Sequence, residues 1–408
     1  MKKRKLLTIG TTAHAERFTG KQLISVRKGT TTRSVHSLAK NASIRMASSS
    51  DFKANPERFE SAFRDGDGIY FERLGIAVVN ERMEEGIQML TTGARSRNAI
   101  AGAEPERYVY ALAKRASAVR RFTDTAQHTW GIQATDVMKS SFTGKGVRIA
   151  ILDTGVDDKH PDLRGRHITT KSFINRESAM DGNGHGTHCV GVSCGHQQSS
   201  SGLRYGVASE AEIYAGKVLS NSGRGSDRGI LAGIQWAMDN KCRIISMSLG
   251  SPAFEGEPYS RIYDEMAAEL LSKNILLVAA AGNESDRPGM MAPVGHPANC
   301  PSIMAVGAID SKLNVASFSC CGTAIRGGQV DVAAPGVDIF SSVPRPDLYE
   351  LMDGTSMATP FVAGIAALVI ERYPTANAHE VWVRVVQTAR RLHGASTDIG
   401  SGLAQAPR

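Results

Sequence analysis

The stretch DGTSMATPFVAGIAALVIERY, residues 353–373, joins a small polar turn to an apolar segment with helical character. Ser356 lies at the junction, and Pro360 follows where the first turn of a helix tolerates proline. Serine is also an ordinary helix N-cap residue, so a purely structural role is open for Ser356. The rest of the chain has to supply the partners that distinguish a reactive serine from a capping one.

The composition predicts a soluble, loop-rich α/β protein. The chain has 408 residues, of which 41% are hydrophobic, and it contains no apolar run long enough for a membrane span. Lys and Arg outnumber Asp and Glu by 23 to 13 in residues 1–129, whereas acidic residues are slightly in excess in the remainder. Because the basic residues are mixed with acidic ones and lack interleaved aromatic residues, we expect no nucleic-acid partner.

The cellular location is predicted from the first residues and from the cysteines. The opening MKKRKLLTIG carries the positive charge of a signal peptide, but its apolar stretch is shorter than the roughly seven residues that such a peptide needs. Six cysteines are too sparse for a disulfide scaffold and do not follow a zinc-ligand spacing. A cytoplasmic location is therefore favoured, and secretion is the alternative.

The chain divides into four parts. Residues 1–19 are expected to form a basic disordered tail, 20–112 a small α+β domain, 113–128 a polar linker open to cleavage, and 129–408 a larger domain. In the small domain, the hydrophobic pattern predicts a helix at 81–94 and strands at 22–28, 69–80 and 99–112. No internal repeat is visible in the sequence.

The larger domain alternates apolar strands with helices. Strands are predicted at 147–153, 211–219, 243–250, 275–283, 301–309 and 330–336, and helices at 185–194, 228–240, 262–274 and 357–373. Continuous apolar strands separated by helices are typical of a parallel sheet that is buried on both faces. The sequence therefore predicts an α/β fold with a mainly parallel central sheet.

Polar residues fall at the ends of these elements. Asp153 ends the strand VRIAILD, Asn283 ends the strand ILLVAAAGN, and His185 begins a helix between two glycines. Each has a structural alternative, since aspartate and asparagine form turns and histidine can begin a helix. The carboxyl ends of parallel strands meet at one edge of a sheet, where Ser356 would join them. Together they supply a nucleophile, a base, a carboxylate that orients the base and an amide donor, which acyl transfer requires.

The motifs AILDTGVDDKHPDL, GNGHGTHCVGV and DGTSMATPFVAGIAALV, with SMSLG and AAAGNE between the last two, resemble those of subtilisin-like serine proteases, the subtilases of peptidase family S8. The resemblance covers residues 130–408 and implies the family's three-layer fold. It makes Ser356 the nucleophile, His185 the general base and Asp153 the residue that fixes the imidazole tautomer. Asn283 would donate to the oxyanion together with the Ser356 backbone N–H, and His188 would be structural.

The resemblance also implies where a substrate binds. An extended peptide would pair as an added strand with two backbone edges, Gly223, Arg224 and Gly225 on one side and Ser248, Leu249 and Gly250 on the other. The pocket for the residue before the cut would be lined by Ala280, Ala281, Gly282 and Gly295. We expect a protein or peptide substrate with a broad, mainly apolar preference, although Glu284 at the pocket rim could also accept a basic side chain.

The small domain resembles the family's inhibitor-type propeptide, which has a ferredoxin-like fold, in its position, its size and its pattern of strands and helices. Such a domain would assist folding of the catalytic domain, because a fold with many nonlocal strand pairs forms slowly. It would lay its C-terminal strand in the cleft as an intramolecular inhibitor and be removed by autoprocessing within 112–128. The enzyme would then be made as a self-inhibited zymogen. An unrelated accessory domain is the alternative.

The calcium loop departs from the family pattern, and Cys189 follows the pattern of some members. The best-known calcium loop of the family follows the His185 helix, but residues 194–206 contain no carboxylate, and only Asp162 is retained from that site. We therefore expect no required cofactor; a structural calcium ion is left open, but its usual loop site is not retained. Cys189 resembles the cysteine of thiol-sensitive members, and a role as a small buried apolar residue is favoured over a redox role.

Two other functions are open from the sequence. A specialised processing protease or transpeptidase would hand the acyl group to an amine instead of to water. A catalytically silent binding or scaffold protein would keep the fold without the activity, and a serine-directed fluorophosphonate label would distinguish it from an enzyme. Because all four catalytic positions are occupied, the serine endopeptidase is the favoured function.

Overall fold

The central feature of the larger domain is a sheet of seven parallel strands. The computed structural model describes residues 17–52, 67–93, 99–112, 114–115, 122–323 and 327–408. The strands of the central sheet are β7 (Arg148–Asp153), β8 (Ile168–Ser172), β9 (Glu212–Lys217), β11 (Ile244–Met247), β13 (Leu276–Ala280), β14 (Met304–Ile309) and β15 (Val332–Pro335). They pair in the order β15, β14, β13, β11, β7, β9, β8, and every pair is parallel.

Helices cover both faces of this sheet. The helices of the larger domain are α3 (Trp130–Ala134), α4 (His185–Cys194), α5 (Asp227–Asp239), α6 (Arg261–Ser272), α7 (Thr355–Arg372), α8 (Ala378–Gln387) and α9 (Ser396–Ile399). Alternate residues of each strand enter different cores, so Ile149 packs with α4 and α7 while Ala150 packs with α5 and α6. The predicted α/β fold with its buried parallel sheet, in three layers, is confirmed.

Several elements lie outside the predicted set. A hairpin of β16 (Ile339–Ser342) and β17 (Tyr349–Asp353) precedes α7, and the two short strands β10 (Arg224–Ser226) and β12 (Leu249–Gly250) flank the carboxyl edge of the sheet. Short 3-10 helices lie at Val137–Lys139 and Pro161–Leu163. These elements are short or exposed, so they carry little periodic signal.

The N-terminal domain is built on a mainly antiparallel sheet with helices on one face. Its elements are β1 (Phe18–Val26), α1 (Thr32–Asn41), β2 (Met46–Ser48), the 3-10 helix Ser49–Phe52, β3 (Gly68–Phe71), β4 (Ile76–Asn80), the 3-10 helix Glu81–Met83, α2 (Glu84–Thr92) and β5 (Ile100–Ala111). The strands pair in the order β5, β1, β4, β3, β2, as a ferredoxin-like βαββαβ arrangement with one extra strand. The first sixteen residues, together with residues 113 and 116–121 of the expected linker, lie outside the described residues.

The prediction of one strand over 69–80 is wrong. The segment forms two antiparallel strands, β3 and β4, joined by a turn at residues 72–75. Gly75 adopts φ +67° in this turn, a conformation that glycine reaches without steric cost. The predicted strand over 243–250 is likewise interrupted, since Ser248 separates β11 from β12.

The N-terminal domain docks on the larger domain through one face of its sheet. Leu23, Phe71 and Val78 belong to the same buried cluster as Ile234 of α5 and Met266 of α6. The opposite face packs against the domain's own helices α1 and α2. Since the sheet is covered on both faces only when the two domains are together, the hydrophobic effect holds the N-terminal domain in place.

Among the residues that the structure describes, no helix combines the length and the apolar character needed to cross a bilayer.

Close packing of α4 against α7 depends on Gly364. A Cβ atom at this position would lie 2.6 Å from Val207 Cβ and 3.0 Å from the Ser193 carbonyl oxygen. Gly364→Ala should therefore lower the free energy of unfolding by about 1–3 kcal/mol, the usual cost of overpacking a core. Denaturant unfolding measures the change. Gly289→Ala, where the new methyl group has room, is the control, and an equal effect of both substitutions would contradict the packing argument.

Candidate active site

Asp153 and His185 form a buried hydrogen-bonded pair at the carboxyl edge of the sheet. Asp153 is the last residue of β7 and His185 the first residue of α4, and both are almost fully buried. His185 Nδ1 lies 2.7 Å from Asp153 Oδ1, and the Thr154 backbone N–H donates to the same oxygen at 2.7 Å. With Nδ1–H donated to the carboxylate, Nε2 carries the lone pair and can accept a proton.

The electrostatics of this pair favour the protonated imidazole. Burial alone would lower the pKa of His185, but the Asp153 carboxylate outweighs burial and raises the pKa well above the ordinary value. A histidine in this environment accepts a proton readily, because the positive charge that develops on the ring is stabilised at once. The pair has the geometry and charge of a general base with its orienting carboxylate.

Two other titratable residues of helix α4 contrast with His185. His188 donates from Nε2 to the Ile339 carbonyl oxygen at 2.9 Å, and burial lowers its pKa to about 3, so it is neutral in the physiological range. Cys189 is fully buried with its Sγ 3.9 Å from His185 Nδ1, and burial raises the pKa of its thiol. The cysteine therefore lies against the His185 ring as a neutral thiol.

Ser356 enters the site from the first turn of α7. Its hydroxyl donates to the Ser248 carbonyl oxygen at 2.9 Å, and no hydrogen-bond partner of His185 Nε2 lies among the described residues. The Ser356 hydroxyl thus bonds to Ser248 and not to His185, so it has to turn toward the imidazole before it can give up its proton. Catalytic hydrogen bonds often tighten only when the reacting complex forms.

The helix register around Pro360 differs from the prediction. Because α7 already begins at Thr355, Pro360 lies in its second turn, where proline removes an N–H that would bond to the carbonyl four residues earlier. That carbonyl belongs to Ser356, and the Ser248 hydroxyl donates to it at 2.8 Å instead. The missing helical hydrogen bond is thereby replaced by one to Ser248, the residue between β11 and β12.

Asn283 is fixed with its amide nitrogen directed into the cleft. Its Oδ1 accepts from the Thr355 backbone N–H and from the Thr355 hydroxyl, both at 2.9 Å. The amide orientation is therefore determined by donors on the first turn of α7, and Nδ2 is left as a donor. The Ser356 backbone N–H lies in the same turn and has no acceptor within the helix.

Strand β5 of the N-terminal domain lies between the two backbone edges. Its residues Tyr108–Tyr110 pair antiparallel with β10, whose Arg224 and Gly225 lie opposite Tyr110 and Val109. On the other side, Leu249 and Gly250 of β12 lie opposite Ala111 and Tyr110. Ser248 precedes β12, and the Gly223 carbonyl oxygen accepts from the Ala111 N–H at 3.0 Å. The edges named from the sequence thus hold an extended segment of the chain itself.

The strand leads to the side-chain amide of Asn283. Asn283 Nδ2 donates to the Leu112 carbonyl oxygen at 2.7 Å. The chain then continues into β6 (Lys114–Arg115), which pairs antiparallel with β17 opposite Asp353 and Met352. Segments on both sides of Leu112 are therefore held as strands, and the carbonyl between them lies at the amide that can stabilise an oxyanion.

The residues predicted to line the pocket lie next to one another. Ala280, Ala281 and Gly282 follow one another at the end of β13, and the Gly295 N–H donates to the Ala281 carbonyl oxygen at 2.8 Å. Gly282 adopts φ +117°, and a Cβ atom there would lie 2.8 Å from Cys320 Sγ. Glu284 is half-buried, and one of its carboxylate oxygens accepts from the Cys320 thiol at 3.1 Å.

The surroundings of Asp162 do not fit a calcium ion. Oδ2 accepts from the hydroxyls of Tyr205 at 2.6 Å and Tyr349 at 3.0 Å, while Oδ1 accepts from the Ser200 N–H at 2.6 Å. Burial alone would raise the pKa of Asp162, but these hydrogen bonds outweigh it and lower the pKa. Protein donors occupy the carboxylate where a cation would require oxygen ligands.

Some residues that organise the site were not singled out from the sequence. Asp181 accepts from the Thr154 hydroxyl at 2.9 Å and from the Thr187 N–H at 2.8 Å, and so connects the ends of β7 and α4. Lys217 is fully buried and donates to the Thr154 carbonyl oxygen. Lys217 could have been recognised as a charged residue at the end of an apolar strand. Asp181 could have been recognised by its position just before the GNGHGTH motif.

This geometry defines a serine protease of the subtilisin-like class. The Subtilase family model matches residues 144–402. Subtilisin DY of Bacillus licheniformis is 40% identical over 273 residues, which cover 67% of this chain and 93% of the relative. Subtilisin E of Bacillus subtilis is 40% identical over 274 residues, 67% of this chain and 68% of the relative. Subtilisin Savinase of Lederbergia lenta is 40% identical over 281 residues, which cover 68% of this chain and 96% of the relative.

The chain belongs to the subtilase family, peptidase family S8. The matched residues contain β7, α4, the end of β13 and the start of α7, which carry the four polar side chains of the site. The chain is accordingly a serine endopeptidase that acts on protein or peptide substrates.

Histidine titration tests the electrostatics of the pair. His185 should stay protonated above the ordinary histidine pKa of about 6.5, because Asp153 raises its pKa, whereas His188 should stay neutral throughout the range from about pH 5 to pH 8. Stability linked to His185 is fully present below its unfolded-state pKa and is lost as the pH rises through the folded-state pKa. Ring NMR of the Ser356→Ala protein measures both residues. Asp153→Asn should move the His185 titration to lower pH, and an unchanged titration would contradict the assignment.

A second experiment tests the calcium argument. Tyr205→Phe removes a buried hydrogen bond to a carboxylate and should lower the free energy of unfolding by about 1.5–3 kcal/mol, whereas a chelator should leave the parent protein unchanged. Tyr373→Phe, at a half-buried tyrosine whose ring contacts Arg384, is the control. If a chelator destabilised the parent protein but left the Asp162→Asn variant unchanged, a metal ion at this carboxylate would be indicated.

Proposed function

We propose that this protease is a self-inhibited zymogen that cuts its own chain between Leu112 and Ala113. In this mechanism Ser356 attacks the Leu112 carbonyl carbon, and His185 takes the hydroxyl proton and later gives it to the leaving amine. Asp153 holds the imidazole in the required tautomer. The Asn283 amide and the Ser356 backbone N–H stabilise the oxyanion, and water then hydrolyses the acyl-enzyme.

The observation that carries the proposal is the 2.7 Å hydrogen bond from Asn283 Nδ2 to the Leu112 carbonyl oxygen. The residues before Leu112 are held in antiparallel pairing on two edges, as a peptide substrate would be. A leucine at this position agrees with the apolar preference expected for the pocket. Its side chain is almost fully buried and lies next to Gly250, since a Cβ atom there would be 3.2 Å from Leu112 Cδ1.

Inhibition by the N-terminal domain is supported by contacts away from the cleft. Glu106 is fully buried and accepts from the Arg228 N–H at 2.9 Å, while Glu104 accepts from the Arg261 N–H at 2.8 Å and the Ile262 N–H at 3.2 Å. These N–H groups belong to the first turns of α5 and α6, where backbone N–H groups have no acceptor within their own helix. Carboxylates are favoured there by the helix dipole. The domain thus holds strand β5 in the cleft through contacts that are separate from the catalytic residues.

Self-processing is tested on the full-length chain. The parent protein should yield a new N-terminus at Ala113, and the Ser356→Ala protein should stay intact, because the nucleophile is missing. Leu112→Asp should slow the cut by at least about tenfold, since a charged side chain would have to leave water for an apolar pocket. N-terminal sequencing and intact mass measure the products over time.

Leu112→Met is the matched control and should be processed at nearly the parental rate, because methionine has a similar volume and is apolar. A fluorophosphonate label should react with the processed parent but not with Ser356→Ala. An intact chain that is fully active on casein would contradict the zymogen proposal, and equal processing of the parent and the Ser356→Ala protein would contradict the catalytic assignment.

A further inference from the structure

Arg224 lies beside the bound strand, upstream of the cleavage position. It belongs to edge strand β10, directly opposite Tyr110, and its side chain is exposed. The guanidinium carbon is 3.9 Å from the centroid of the Tyr108 ring, so the planar cation lies against the aromatic ring. No carboxylate pairs with Arg224 in the part of the chain that the structure describes, and its charge is therefore available to the ring.

The register of the strands explains why Tyr108 is the residue in contact. In an antiparallel pair, side chains that alternate along a strand lie on the same face, and diagonal neighbours are within reach of long side chains. Tyr108 and Tyr110 both project on the face of Arg224, whereas Val109 between them is fully buried in the opposite direction. Counting back from Leu112, Tyr108 is the fifth residue before the proposed cut.

We infer that Arg224 is a specificity residue that selects substrates with an aromatic side chain five residues before the scissile bond. The inference rests on the proposed function, since it takes β5 as a substitute for a substrate. A peptide that replaces β5 between the two edges must pair in the same register to place its reactive carbonyl at Asn283. Its fifth residue then meets the Arg224 guanidinium, and an aromatic ring presents its negative face to the cation.

The contact has the character of a specificity determinant rather than of a catalytic one. Arg224 touches neither the reacting carbonyl nor the His185 ring, and its partner is a half-buried side chain. An exposed cation–π pair contributes to transition-state and ground-state binding alike, so removing it should raise KM and leave kcat nearly unchanged. The expected gain in kcat/KM for an aromatic residue is about two- to five-fold.

The test uses decapeptides with the sequence of residues 106–115, Glu-Arg-X-Val-Tyr-Ala-Leu-Ala-Lys-Arg, in which X takes the place of Tyr108. X is tyrosine, phenylalanine or cyclohexylalanine, and the last of these keeps the size and apolar surface of phenylalanine without its π electrons. The purified protein is titrated with the fluorophosphonate label, and kcat, KM and the position of the cut are measured by mass spectrometry. Both aromatic peptides should be cut after leucine with a kcat/KM about two- to five-fold above that of the cyclohexylalanine peptide.

Two variants separate the effect of Arg224 from a general effect of charge. In Arg224→Met, which keeps an unbranched side chain without charge, the ratio between the phenylalanine and cyclohexylalanine peptides should fall to about one. Arg164→Met, at an exposed arginine after the Pro161–Leu163 turn, should keep the parental ratio.

Equal kcat/KM for the phenylalanine and cyclohexylalanine peptides, with the cut still after leucine, overturns the inference and leaves the proposed function intact. Persistence of the aromatic preference in Arg224→Met also overturns it. Failure of the unlabelled enzyme, its active concentration known from the titration, to cut any of the peptides after leucine overturns the proposed function and the inference together.

Discussion

A carboxylate that is almost wholly excluded from water is stable only with strong partners, and the arrangement of the site follows from this requirement at Asp153. The His185 ring and the Thr154 N–H satisfy one oxygen of Asp153. Asp181 and Lys217 then hold the residues that follow Asp153. Because α4 must begin where its first residue reaches this carboxylate, the position of the helix over the sheet and the position of the base are determined together.

Two short backbone edges beside this site hold an extended segment of chain. Strands β10 and β12 offer backbone donors and acceptors at a fixed separation, and one extended segment satisfies both. An open strand edge pairs with any extended chain that reaches it, which favours aggregation on an exposed surface. Inside a cleft that few segments can enter, the same pairing can bind a substrate. In the described molecule the occupant is the N-terminal domain's own strand, which the sheet interface and the two helix-capping glutamates hold in place.

The parallel sheet and the four polar positions could be predicted from the sequence, because strand ends and helix starts carry strong local patterns. The turn at Gly75 was missed since FERLG continues the apolar alternation on either side. The position of Leu112 at Asn283 could not be derived, as it depends on how two separately folded surfaces meet. Pro360 was placed one turn too early because Gly354, Thr355 and Ser356 were assigned to the turn preceding the helix, although Thr355 and Ser356 already belong to it.

The proline in α7 has an entropic consequence for the nucleophile. By leaving the Ser356 carbonyl to the Ser248 hydroxyl, while the Ser356 hydroxyl bonds to the Ser248 carbonyl, it produces a reciprocal pair between two residues that are far apart in the chain. The backbone of the serine therefore loses its freedom when the protein folds and not when a peptide arrives. Only the serine side chain is left to be ordered at the moment of attack, which lowers the part of the activation barrier that comes from orientation.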